Sequence, residues 1–178
     1  MDLHRLIVFI HVAAVIGLFA TLVIEWVSIA RLRHSSSYEQ AREWAGLWRL
    51  LGPVGGPSTL TVLASGIYLA VMLGAWELGW VRAAIPILIV VGIAGAPAGP
   101  RRKRIRAAIE ARVGPLPADV RTQVRDPLLV ASIRARAMLI AVVVFVMTAR
   151  PPMFGAAALI GSAAALGLLA GATAWRAR

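Results

Sequence analysis

The sequence predicts an all-α integral membrane protein: a bundle of five transmembrane helices with a short interfacial helix on one side. Three observations carry this reading. Hydrophobic residues make up 60% of the 178, against roughly 45–50% in soluble domains. Five segments reach the length of about 20 residues that a helix needs to cross the hydrocarbon core. The basic residues fall almost wholly on one side of those segments. No internal repeat or composition shift divides the chain, so 1–178 reads as one domain.

The first span is expected over Leu6–Ile29. Ser28-Ile29-Ala30 imitates a signal-peptidase site, but the apolar run exceeds 20 residues and Arg31 and Arg33 follow at once. A signal h-region has about 7–15 residues, so a retained helix is expected. On the far side, Ser36 and Glu39 suit a capping box. Ala41, Trp44, Trp48 and Leu51 then share a helical face, which predicts an interfacial helix over Tyr38–Leu50. The second span is expected over Pro53–Ala75 and the third over Trp80–Gly99. The third continues as a basic helix toward Arg112 and stops at Gly114-Pro115, within a basic loop spanning 100–126. Asp126-Pro127 offers an N-cap and a first-turn proline, so the fourth span runs Pro127–Ala149. The fifth runs Met153–Trp175.

Sixteen of the nineteen Lys and Arg residues then lie on the side opposite the N-terminus. Cytoplasmic loops carry this excess, which puts the N-terminus outside and the C-terminus in the cytoplasm. The net charge of +11 is accounted for in the same way. The run "RRKRIR", Arg101 to Arg106, reads as the flank of the third helix, suited to anionic lipid headgroups rather than nucleic acid.

His4, His11, Leu18 and Glu25 recur every seven residues, so they share one face with only about 20° of drift per step. Intramembrane ionisable groups face the bundle interior, which makes this the inward face. His11 and Glu25 are ~21 Å apart along the axis and belong to different levels. Ser58, Thr61, Ser65 and Tyr68 form a matching face on the second helix. Counting from the helix ends places Tyr68 beside His11 and Ser58 nearer Glu25. A structural ion pair is expected between Glu25 and either Arg134 or Arg136, which snorkel toward the cytoplasm. Gly95/Gly99 and Gly167/Gly171 are GxxxG pairs that suit close helix packing, with a homodimer through the fifth helix as the alternative.

The absence of cysteine excludes disulfides, thiolate metal sites and cysteine nucleophiles. No His, Asp and Glu cluster has zinc spacing, and no histidine–carboxylate pair sits near Ser58, Ser65 or Ser162 for nucleophilic chemistry. His11 is a candidate axial ligand for haem b iron. His4 and His34 lie outside the core, so a second ligand would be Met72 or Met147, or the iron would be five-coordinate. Arg82 and Arg150 at the outer edge could pair with propionates. The plainer alternative is a histidine hydrogen-bonded to Tyr68 or to a backbone carbonyl.

The stretches "LHRLIVFIHVAAVIGLF", "GGPSTLTVLASGIYLAVMLGAWELGWVR" and "MTARPP" resemble an uncharacterised bacterial family of integral membrane proteins. That family is distantly similar to the HemJ-type protoporphyrinogen oxidases and the CopD-like copper-resistance proteins. Those share a first-helix histidine, matched by His11, and a "P…TL…G" second helix, matched by Pro57, Thr59, Leu60 and Gly66. The resemblance implies a bacterial inner-membrane protein and links the first-helix histidine to haem. HemJ-type proteins also carry a lysine soon after a tryptophan at the start of the third helix. Here the matching position is Arg82, two residues after Trp80. Arginine does not readily lose its proton, a departure that weakens the case for the oxidase activity and leaves haem binding open. The expected function is a haem-binding or redox-associated membrane protein. The alternatives are an accessory subunit or assembly factor of a larger membrane complex, and a small transporter.

Overall fold

The computed structural model describes residues 2–110 and 112–150, and these are almost entirely helical. The expected fifth span, Met153–Trp175, with its Gly167/Gly171 pair, lies outside the described residues. Helices α1 (Leu3–Leu32), α2 (Tyr38–Gly46), α3 (Leu51–Met72), α4 (Gly79–Gly95), α5 (Ala98–Glu110), α6 (Ala118–Val124) and α7 (Pro127–Ala149) follow in order. Among the described residues, four helical stretches, built on α1, α3, α4 and α7, are long and apolar enough to cross a membrane. The chain is therefore a multi-pass membrane protein.

Local chemistry explains the boundaries. α3 stops at Gly74, whose φ of 61° suits a residue without Cβ in a left-handed turn. α7 starts as expected: the Asp126 carboxylate accepts from the Leu128 N–H at 2.9 Å, with Pro127 in the first turn. The expected third helix is interrupted. Pro97 has no N–H to continue the ladder, so α4 ends at Gly95 and α5 begins at Ala98. Ser132 of α7 donates to the Ala94 carbonyl in the last turn of α4, at 2.6 Å. Most of the expected basic loop, 100–126, is helix: α5 and the unforeseen α6.

The four long helices form two tight pairs, α1 with α3 and α4 with α7. The pairs touch less extensively along α3 and α4, and a crevice runs between them. Two cores result. One, from Leu18, Leu22, Val62, Leu88, Ile140 and Val143 among others, lies within the bundle. The other lies at its basic end, where Ile29, Leu32, Tyr38, Trp48, Ile105, Ile109 and Val124 pack α2, α5 and α6 onto the ends of α1 and α7.

This second core revises the expected interfacial helix. Its helix ends at Gly46 and continues as one 3-10 turn, Leu47–Arg49. Ala41, Ala45, Trp48 and Leu51 are buried in protein, while Trp44 is half-buried under the Arg31 guanidinium. The capping box also sits one residue later. Ser37 caps the Gln40 N–H, and the Gln40 side chain accepts from the Ser36 N–H. Glu39 accepts instead from the Gly114 N–H at 3.1 Å, helping to hold the connection before α6. Both registers satisfy the capping pattern, and this tertiary partner distinguishes them.

Candidate functional site

The crevice contains two chambers at different levels. The α1–α3 register determines what each receives. His11 faces Ser65 and Gly66, Gly17 faces Ser58, and Thr21 faces Gly55. This differs from the register expected from sequence, which put Tyr68 beside His11 and Ser58 near Glu25. α1 starts three residues earlier and α3 ends three residues earlier than expected. In an antiparallel pair both offsets move the partner of His11 the same way, toward the start of α3, and the observed partner lies about one turn before Tyr68. Tyr68 is half-buried on α3 with no hydrogen bond to His11.

The outer chamber has a volume of about 210 Å³ and apolar walls from α3 and α4. His11, Trp80 and Met147 all line it. His11 Nδ1 lies 2.9 Å from Ser65 Oγ. The Ser65 hydroxyl has one proton, and it is donated to the Thr61 carbonyl, which can only accept. Ser65 therefore accepts from His11 Nδ1–H. An imidazole protonated on Nδ1 carries its lone pair on Nε2, and the Val62 backbone carbonyl is a second hydrogen-bond partner of the ring. Gly66 makes this approach possible, since a Cβ there would lie 3.3 Å from His11 Cε1.

The other expected ligand residues are dispersed. Met147 shares the chamber with His11, whereas Met72 is 61% exposed and does not line it. Arg150 stacks over Trp80, 5.8 Å from the ring centroid, and so borders the chamber. Arg82 is committed elsewhere, to the Glu77 carboxylate and the Trp76 carbonyl. The described residues contain no cluster of three or more His, Asp or Glu suited to a bare metal ion.

The inner chamber, about 450 Å³, is lined by α1, α3, α4, the start of α5 and Arg136 of α7. Glu25 lies at this level with only 2% of its surface exposed. Of the two arginines considered, Arg136 bonds it, with Nη2 donating to Oε2 at 2.7 Å. Arg134 is half-buried on α7. The second partner is Arg102, whose Nη1 donates to Oε1. Arg102 belongs to the "RRKRIR" run read as a lipid-facing flank. The signal was present: Ala98, Arg102, Ile105 and Ile109 fall on one helical face, and the three apolar members are buried. Gly95 makes room for Arg136, whose Cδ would lie 3.4 Å from a Cβ at that position. The Gly95/Gly99 spacing thus accommodates a charged side chain as well as close backbones.

No family model, curated protein or solved structure matches the chain.

Proposed function

We propose that the chain is a haem-binding protein of a bacterial inner membrane, with His11 as axial ligand. The observation that supports this most is the fixed His11 tautomer. Ser65 holds Nδ1–H, leaving the Nε2 lone pair beside an apolar chamber, the arrangement that second-shell partners give to ligating histidines. The donor set is compatible with haem: an imidazole and the Met147 thioether share one chamber, with a cation and an indole beside it. Haem would supply one-electron redox chemistry. The chain's own part is to orient the imidazole, exclude water and place the Arg150 charge where a carboxylate could pair with it.

The outer chamber's volume of about 210 Å³ is less than the roughly 300–1,000 Å³ of pockets that enclose cofactor-sized ligands. A porphyrin would require α3 and α4 to separate, and they pack less extensively than either tight pair. The basic end carries most of the Lys and Arg residues, which favours placing it in the cytoplasm with the N-terminus outside.

An absorption spectrum of the purified full-length protein tests the proposal. A Soret band, present on isolation or after haem addition and lost in His11→Ala, is the expected result. No band after haem supplementation would sink it, and a band that survives His11→Ala would remove His11 as ligand. Met147→Ala should alter the band if the thioether is the second ligand.

A further inference from the structure

We infer that the inner chamber is a binding site for the phosphate headgroup of an anionic membrane lipid. This inference is independent of haem, because it concerns a different level of the crevice and different residues. It starts from charge. The chamber is lined by two guanidiniums, Arg102 and Arg136, and by one carboxylate, Glu25. Their side chains are 16%, 12% and 3% exposed. The cluster therefore carries a formal net charge of +1 in a largely buried setting, which is costly without a counter-ion. Glu25 is the sole buried carboxylate among the described residues, and 151–178 contain no Asp or Glu.

Donor counting points the same way. Each guanidinium has five N–H groups. Arg136 uses Nη2 on Glu25 and Nε on the Ser132 carbonyl. Arg102 uses Nη1 on Glu25. Arg136 Nη1 and Arg102 Nε and Nη2 have no hydrogen-bond partner among the described residues. Phosphate oxygens suit such donors.

The walls suit the rest of a lipid. Glycines from α3 (Gly52, Gly55 and Gly56) and from α4 and α5 (Gly92, Gly95 and Gly99) line the chamber. A Cβ at Gly52, Gly56 or Gly99 would meet nothing within 4 Å, so these positions keep space open rather than pack helices. Leu60, 69% exposed, also lines the chamber and marks an opening toward the surface of the bundle. An acyl chain entering there would find apolar walls, and its headgroup would meet the arginines.

The test uses the full chain in phosphatidylcholine nanodiscs with and without phosphatidylglycerol, read by native mass spectrometry and melting temperature. One phosphatidylglycerol should be retained and should raise the melting temperature. Gly99→Leu should fill the chamber and weaken retention by about tenfold or more, while the protein without that lipid melts no lower than wild type. Arg102→Gln should lose retention too, but it also removes a Glu25 partner, so Gly99→Leu is the decisive variant. Lys103→Gln with Arg104→Gln, on the exposed face of α5, should leave retention intact. Retention unchanged in Gly99→Leu, or equally lost in the exposed-face variant, would overturn the inference. Inorganic phosphate alone reproducing the stabilisation in phosphatidylcholine discs would overturn the lipid assignment in favour of a free anion.

Discussion

At one level of the crevice an imidazole is held by Ser65 and the Val62 carbonyl of one helix; at the other a carboxylate is held by two arginines from different helices. The two sites share α1, and their principal residues lie fourteen positions apart on one face. They differ in what fixes them. The His11 site depends on one helix pair, α1 and α3. The Glu25 site joins α1, α5 and α7, so it ties the two tight pairs and the basic cap together. The difference shows that polar residues on one helical face can be held in separate ways, the outer one within a single helix pair and the inner one across three helices.

Four substitutions break or sharpen this contrast. The largest effect is expected from Glu25→Ala, which leaves Arg102 and Arg136 buried without their carboxylate. Removing one partner of a buried ion pair costs roughly 3–5 kcal/mol, and the loss should appear as unfolding at lower denaturant in detergent. His11→Ala should cost far less by the same measurement. Equal losses for the two variants would collapse the distinction between a latch and a ligand site.

Ser65→Ala should have an intermediate effect. It removes one interhelical hydrogen bond, worth about 1 kcal/mol in membranes, and frees the imidazole tautomer. Nitrogen-15 shifts of His11 should report the Nδ1–H form in the wild type and a mixture in the variant. A wild-type tautomer that persists in Ser65→Ala would show that another group orients the ring.

The smallest effect is expected at the cap. Glu39→Gln weakens the carboxylate's bond to the Gly114 N–H, in a connection also held by backbone bonds between Tyr38 and Gly114 and between Leu116 and Ser36. The melting temperature should move less than in any of the earlier variants, while hydrogen exchange at the Gly114 amide quickens. A global loss of stability would instead make the cap part of the latch.

Much of this was legible in the chain itself. Length and apolarity identify the four described spans, because the hydrocarbon core sets a minimum helix length and excludes unpaired backbone. Asp126-Pro127 marks the start of α7 because capping is a local interaction. Seven-residue spacing puts His11 and Glu25 on one face because the helix period is a property of the backbone. The Arg102 contact was half legible, since Ile105 and Ile109 share its face.

What only the tertiary structure decided is which residues stand opposite one another. A sequence fixes rotation about each helix axis but not the sliding of one helix along another. That sliding places Ser65 rather than Tyr68 beside His11, and the break at Pro97 separates α4 from α5, which brings Arg102 to Glu25. Both outcomes depend on where neighbouring helices begin, end and break, and those positions are set by packing among segments far apart in the chain.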